Sequence, residues 1–553
     1  MLFTVIGPTR SIPQFPEGTL VLAQDNWNDY SFQTQYQLHV ATSNSSEYIG
    51  ATKILKKGQT AMDGLQIANS FDQLGEEFVS VGTSLDFYEN LSKLGVARRT
   101  LVLNALRDVS LKPELEAIFS SEEGWNISLF RGQDAEQLQE FLSLAKSLTS
   151  SDYTSVPGEH LQYSFHMTGW QQPIEFDFAP NVPNALFYIP PKPDLPDRLV
   201  VIIGRNGSGK STLLARLARV AYGSASERDE GVFNELGILS PPGIGFPRII
   251  TISYSAFDSF TLPGIRPRSA GEPDQREQII QAARNGEGRF IFCGLRDIAS
   301  ELESQIETER QLSNVPPPPG ISGDRLTKTL IKPIDRLATE FEHTVELIKK
   351  RGRIDAFGRA LQYAVTDSSF SQWNNGPDLS ALLMVNARAP FEQWSTGQKI
   401  VVQIIANLTA HAMPRSLILF DEPETHLHPP LVAGLMHAVR YLLGKYKAFA
   451  AVATHSPVVL QESLARHVLI IRREGTIFSV SKPRIETFGE NVGALTSEVF
   501  GLTTDVTDFH RILDGLTGRF HSLEDIEALF VPHGLSLQAR AYVMTRLAGK
   551  SLN

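Results

Sequence analysis

Apolar residues in this chain recur with two periods. Uninterrupted runs, RLVVIIG ending at Gly204, SLILF at Ser416 to Phe420 and AFAAVATHSP reaching His455, predict strands buried on both faces. Each is followed by glycine or by charged and polar residues, the pattern of a parallel sheet whose loops gather at one edge. Residues 1–155 mix shorter strand-like runs such as GTLVLAQ with helical ones. In TSLDFYENLSKLG, Thr83 and Asp86 stand at capping-box spacing and predict a helix start. From 269 to 389 the period is mainly helical, and strand signals resume afterwards, so this stretch reads as an insertion. The prolines of Asn314 to Gly320 must end any helix there, and TSVPGEH reads as a linker before the second region. Five segments result: an α+β domain (1–155), two halves of an α/β nucleotide-binding head (156–268 and 390–485), a helical insertion (269–389) and a helical C-terminal region (486–553).

Composition narrows the class. The chain has 553 residues, 42% hydrophobic and 20% charged, which is ordinary globular composition with room for several domains. Its only cysteine, Cys293, excludes an intramolecular disulfide framework and fits a reducing compartment. No apolar run approaches the roughly 18 residues of a membrane span, so a cytoplasmic protein without membrane contact is expected. A net charge of −10 argues against a surface that is basic throughout.

The chemistry begins at the first strand-to-turn junction. Gly204, Arg205, Asn206, Gly207, Ser208, Gly209, Lys210, Ser211 and Thr212 complete the phosphate-cradling pattern GxxxxGK[ST] between a strand and the helix STLLARLARV. The glycines let backbone N–H groups turn toward phosphates, Lys210 supplies a cation for the β- and γ-phosphates, and Ser211 supplies an Mg²⁺ ligand. Asp421, at the end of the SLILF strand, suits the same Mg²⁺, and Glu422 suits a base that polarises the attacking water. His455, at the end of a third strand, could donate to the γ-phosphate as a neutral imidazole. ATP with Mg²⁺ is the expected cofactor.

These motifs, with Ser395, Thr396, Gly397 and Gln398 of the signature-like turn before Lys399, and with DEPETHLHP and THS, follow the order of an ABC-type ATPase head. The sequence resembles one: an α/β P-loop fold with a mainly helical insertion and a small N-terminal α+β domain. DEPETHLHP is more similar to the overcoming-lysogenization-defect group of defence ATPases than to transporter heads. HVATSNSSEYIGATKILKKG, FVSVGTSLDFYENL, ISYSAFDSF and EVFGLTT resemble the ATPase subunit of Septu-type antiphage systems, including those carried with retrons. That resemblance implies a homodimer or higher oligomer with ATP sandwiched between heads, Ser395 to Gln398 of one head closing on the partner's nucleotide. It also implies an HNH-type nuclease subunit and, in retron versions, a reverse transcriptase with its RNA–DNA product. No DxD cluster appears after Glu486, so nuclease chemistry is expected from another polypeptide.

The sequence departs from the family pattern in two motifs, the signature reading Ser-Thr-Gly at Ser395 to Gly397 where transporter heads usually have Ser-Gly-Gly, and the Q-loop. No Q-loop glutamine follows RIITISYS, and Ser253, Ser255 and Asp258 are the candidates for that region. His426 and His428 have no third ligand nearby and are expected in structural or dimer contacts. Lys349 to Arg353, KKRGR, suits nucleic-acid phosphates but reads more simply as a solvated helix end. A DNA-repair ATPase acting on DNA ends and a slowly hydrolysing nucleotide-gated scaffold remain alternatives.

Overall fold

The structure, a computed structural model, describes residues 2–9, 12–25, 29, 31–42, 45–131, 135–150, 161–178, 195–228, 231–241, 244–264, 276–311, 329–370, 379–500 and 508–550. The expected linkers at Thr154 to His160 and Asn314 to Gly320 lie outside them, as do residues 501–504 of EVFGLTT. The chain forms two compact units, Met1–Gly489 and Glu490–Asn553. Among the described residues no helix is long and apolar enough to cross a membrane.

The first unit opens with six strands: β1 (Phe3–Ile6), β2 (Leu20–Gln24), β3 (Gln35–Ala41), β4 (Ser46–Lys56), β5 (Ser70–Phe71) and β6 (Phe78–Gly82). They pair in the order β5-β1-β2-β3-β4-β6, antiparallel except for β1 with β2. Phe87, Tyr88 and Leu91 of helix Leu85–Lys93, with Leu144 and Leu148 of helix Ala135–Ser150, join Leu22, Tyr36 and Leu38 in the core of this α+β layer. The Thr83/Asp86 capping box does not form. Ser84 is the N-cap, without a side-chain bond. Thr83 Oγ1 donates instead to the Ala51 carbonyl at 3.2 Å, and Asp86 pairs with Arg289. Tertiary partners outcompete the local cap.

The head follows. A three-stranded antiparallel sheet holds β7 (Gln162–Met167), β8 (Ile174–Asp177) and β10 (Gly237–Ser240). The main sheet holds β9 (Leu199–Ile203), β11 (Ile249–Ser253), β12 (Phe290–Gly294), β13 (Leu417–Asp421), β14 (Phe449–Thr454), β15 (Val468–Glu474) and β16 (Ile477–Ser481), in the order β12-β11-β13-β14-β9-β15-β16. Only β16 runs antiparallel to its neighbour. β9, β11, β13 and β14 are buried at every position, as their uninterrupted apolar runs require. Because β14 lies between β9 and β13, with Thr454 level with Ile203 and Ala453 level with Asp421, the residues that follow all three strands emerge at one edge.

The stretch expected to be a helical insertion is partly head. β12 pairs with β11, and the helices beside it, Arg276–Arg284 and Ile298–Gln311, place Ile280, Ile298 and Leu302 in the same core as Leu213 and Leu417. FIFCG is a short apolar run, which periodicity alone cannot assign to strand or helix. The helical part proper is Ile334–Lys350, Ile354–Val365, Leu379–Val385 and Arg388–Gln393, leading into Thr396–His411. Phe341 stacks on Phe391 with centroids 4.8 Å apart and meets Trp394 edge-on, which seats the start of Thr396–His411 on the insertion.

At the opposite edge, the amino ends of three neighbouring strands meet the N-terminal layer through charge. Arg248, just before β11, pairs with Glu89 at 2.9 Å, and Arg289, just before β12, with Asp86 at 2.8 Å. Arg415, before β13, pairs with Glu140. All three arginines are buried.

The second unit is helical: Val492–Phe500, Asp508–Arg519, Leu523–Glu527 and Leu537–Lys550, with Leu513, Ile526, Leu535 and Val543 as its core.

Candidate nucleotide site

β9 delivers the chain to Gly204, where an added Cβ would stand 2.4 Å from the Ile471 carbonyl oxygen and force the neighbouring strand away. Gly207 and Gly209 adopt φ of +77° and +90°, a conformation that costs a residue with a Cβ on the order of 1–2 kcal/mol. Arg205, Asn206 and Gly207 are exposed, whereas Ser208 is buried with no partner for Oγ. Helix Lys210–Tyr222 begins immediately, and Thr212 sits half-buried in its first turn.

Lys210 Nζ donates to the carbonyls of Gly204, at 2.8 Å, and Arg205, at 3.2 Å. Burial pushes its pKa down, and the negative charges of Glu422, Asp421 and Glu424 push it back up. Ser211 Oγ donates to Asp421 Oδ1 at 3.1 Å, so the two residues expected to hold Mg²⁺, from distant parts of the sequence, are adjacent. Burial raises the Asp421 pKa to about 7 against the Ser211 hydrogen bond, with Glu422 and Asp258 adding to the rise.

Glu422 follows at φ +49°, its N–H donating to the Ala453 carbonyl at 2.8 Å. His455 Nδ1 stands 3.5 Å from Glu422 Oε1 and 3.2 Å from Glu424 Oε1. The contact with His455 lowers the Glu422 pKa and the contact with Glu422 raises that of His455. The expected base and switch therefore meet across the β13–β14 junction.

Ser395 caps helix Thr396–His411. Its Oγ accepts from Gln398 N–H, and Gln398 Oε1 accepts from Ser395 N–H at 2.8 Å. Gln398 thus spends its side chain on the capping box, while Ser395 and Thr396 stay exposed. A Cβ on Gly397 would lie 3.4 Å from the His426 carbonyl and from Leu427 Cδ2, so this turn rests on the loop after β13. His426 occupies φ +66°, and His428 Nε2 lies 3.4 Å from Asp367.

Among the Q-loop candidates, Ser253 ends β11 level with Asp421. Ser255 Oγ accepts from Phe257 N–H at 3.1 Å. Asp258 pairs with Arg296 and is buried, with its Oδ2 lacking a donor. Tyr254, next to Ser253, donates to Gln403 at 3.1 Å, tying this region to helix Thr396–His411.

KKRGR is a helix end with Lys350, Arg351 and Gly352 exposed, as expected, and its arginines also reach a neighbouring helix. Arg353 donates to the carbonyls of Thr409, Ala410 and Ala412, and Arg351 to that of Ala410. The two arginines cap the C-terminus of Thr396–His411, where orphan carbonyls and the negative end of the helix dipole favour cations.

Sequence reasoning missed two groups here. Glu424 joins Thr454 and His455; its only trace in the sequence is a second acid two residues after Glu422. Beside Gly209, Trp170 stacks on Phe478 with centroids 4.6 Å apart, and Arg473 lies over Phe478 while donating to the Gly207 carbonyl at 3.2 Å. That cluster joins three distant segments, and no local signal could reveal it.

The site fits a magnesium nucleotide on its own chemistry. It combines a glycine-walled cradle, a buried hydroxyl without a partner in Ser208, a lysine among three carboxylates, and a hydroxyl–carboxylate pair whose acid is kept near neutral by burial. With this sheet order, the head has an α/β P-loop ATPase fold, and these residues are its candidate nucleotide site.

A family model matches the ATPase segment of the chain, and a relative matches most of its length. Residues 199–461 match the family described as "AAA domain, putative AbiEii toxin, Type IV TA system". Protein ea59 of Escherichia phage lambda is 30% identical over 529 residues, covering 92% of this chain and 91% of that protein. Among solved structures, "an inward-facing conformation of a putative metal-chelate type ABC transporter" aligns with 62% of this chain and 90% of that one, at 14% identity and a TM-score of 0.28. The "SmcHead bound to the C-winged helix domain of ScpA" aligns with 58% and 97%, at 11% identity and a TM-score of 0.26. Scores this low add no weight, and the architecture rests on the strand order itself.

Proposed function

This chain belongs to the family of protein ea59 of Escherichia phage lambda, and on that footing we propose that it binds and hydrolyses MgATP between two paired heads and uses the cycle to control a partner. The observation that carries this reading is the convergence of Ser211, Asp421, Glu422 and His455 at one sheet edge beside Lys210. When bound, Mg²⁺ neutralises charge on the β- and γ-phosphates. Lys210 exchanges its loop carbonyls for phosphate oxygens, Ser211 and Asp421 would hold the metal, and Glu422 orients the attacking water. Ser395 and Thr396, exposed at a helix N-terminus, suit the γ-phosphate of a facing head.

We place the output in phage–host conflict. Support comes from the toxin–antitoxin description of the matched family and from the stretches similar to Septu ATPases. The partner in this reading is an HNH-type nuclease, joined in retron versions by a reverse transcriptase with its RNA–DNA product, and the compartment is the cytoplasm.

Complementation tests the paired heads. Thr396→Glu is the cleaner signature variant, because an exposed acid in a first helical turn leaves the fold intact yet repels a γ-phosphate. Lys210→Ala and Thr396→Glu should each be inactive, whereas their mixture should regain ATPase activity through one intact composite site. Full activity of Thr396→Glu alone would reject the trans contact. Co-purification with a nuclease whose cutting responds to ATP, and stops responding with Lys210→Ala, would support the regulatory role. Cutting that is indifferent to ATP would end it.

A further inference from the structure

Glu424 is not among the residues given a role in the ATP chemistry above, yet it holds the end of β14 at three points. Its Oε1 accepts from Thr454 Oγ1 at 2.7 Å and from the His455 backbone N–H at 2.8 Å, and it lies 3.2 Å from His455 Nδ1. Glu422 Oε1 approaches the same ring nitrogen at 3.5 Å. An ionised carboxylate can only accept, so two of them facing Nδ1 require that nitrogen to carry a proton. We propose that Glu424 is a positioning residue that fixes His455 in its Nδ1–H form, leaving Nε2 as the ring nitrogen available to the nucleotide. The inference rests on the ATPase reading for its purpose, but not for its geometry.

A neutral ring donating to the γ-phosphate would need its proton on Nε2, leaving Nδ1 as a bare acceptor against two carboxylates. With the proton held on Nδ1, Nε2 can donate to a phosphate only once it too is protonated, and the contact with Glu422 raises the His455 pKa in that direction.

The tautomer is read directly from ¹⁵N-histidine spectra of the nucleotide-free full chain, with His455→Gln identifying the resonance. The wild type should show Nδ1–H. Glu424→Ala should shift His455 toward the other tautomer, and Glu424→Gln, whose amide oxygen still accepts, should retain Nδ1–H. Glu424→Met, of similar length without an acceptor, replaces the alanine variant if that fails to fold. In turnover, Glu424→Ala should lower kcat by at least about tenfold with little change in KM for ATP, and Glu424→Gln by less. An unchanged His455 spectrum in Glu424→Ala or Glu424→Met overturns the proposal, as does equal kcat in the alanine and glutamine variants. A wild-type chain that binds no ATP would instead sink the ATPase reading while the spectra still decide the tautomer.

Discussion

The two edges of the main sheet handle charge in opposite ways. At the amino ends of β11, β12 and β13, Arg248, Arg289 and Arg415 each meet a carboxylate of the N-terminal layer, although Arg248 Nε and Arg415 Nε are buried without an acceptor. At the carboxyl ends, Ser208 Oγ, Asp258 Oδ2 and Glu424 Oε2 are buried with no partner, and three carboxylates crowd one lysine. Leaving a polar atom buried and unpaired costs about 1–3 kcal/mol. The base is held by ion pairs within the chain, whereas the top gathers three carboxylates around one lysine beside a glycine-walled cradle. A sheet with this polarity is a platform: one edge is fixed so that the other can respond.

The contrast is broken most severely at Lys210. Lys210→Ala should weaken ATP binding on the order of a hundredfold or more, by removing the charged donor nearest the phosphates. Far-ultraviolet circular dichroism should stay that of the wild type, because alanine continues the helix. Near-normal affinity in a fluorescent-nucleotide titration would contradict the cradle.

Glu422→Gln keeps the shape and removes the base. Hydrolysis should slow by about 10²- to 10⁴-fold while binding survives, and light scattering should show an ATP-dependent dimer that outlasts the wild type. Equal turnover in the two proteins would remove Glu422 from the chemistry.

The base should answer to stability and not to nucleotide. Arg289 is buried and donates to Asp86, to the Tyr222 carbonyl and to that of Phe246. Arg289→Met strands those acceptors and should cost about 4 kcal/mol in denaturant unfolding, with KM for ATP unchanged. A changed KM with unchanged stability would mean that the two edges are not separate.

A carboxylate with neither an arginine nor a ligand in waiting sharpens the comparison. Asp108 accepts from neutral donors, Tyr88 and Ser110 among them, and burial raises its pKa to about 6. Between about pH 4 and 6 the folded chain keeps a proton that the unfolded chain has released, so stability falls as pH rises through that window. The loss reaches about 3 kcal/mol at most, and Asp108→Asn should flatten it. A slope unchanged in the variant would assign the pH dependence elsewhere.

Local sequence was informative where the chemistry is carried by consecutive residues. The glycine cradle, the turn at Ser395 and the acids after the SLILF run were legible because a phosphate loop, a helix-opening turn and a buried strand each need particular residues at short, fixed spacing. Reading failed where a tertiary partner outbid a local one. Thr83 and Asp86 have capping-box spacing but bond to Ala51 and Arg289. KKRGR is a helix end as expected, yet its arginines also cap a helix that begins more than forty residues later. FIFCG looks like part of a helical insertion but forms the edge strand beside β11.

The sequence by itself therefore determined the inventory of the candidate site: Lys210, Ser211, Asp421, Glu422 and His455, each at the end of a predicted strand or turn. Tertiary structure alone decided their pairing. The insertion of β14 between β9 and β13 sets His455 against Glu422 and Glu424, and Ser211 against Asp421. The reason is that strand order in a parallel sheet is settled by which buried faces pack together, not by where the strands fall along the chain. Local patterns can specify a buried strand, but they carry no record of its neighbours.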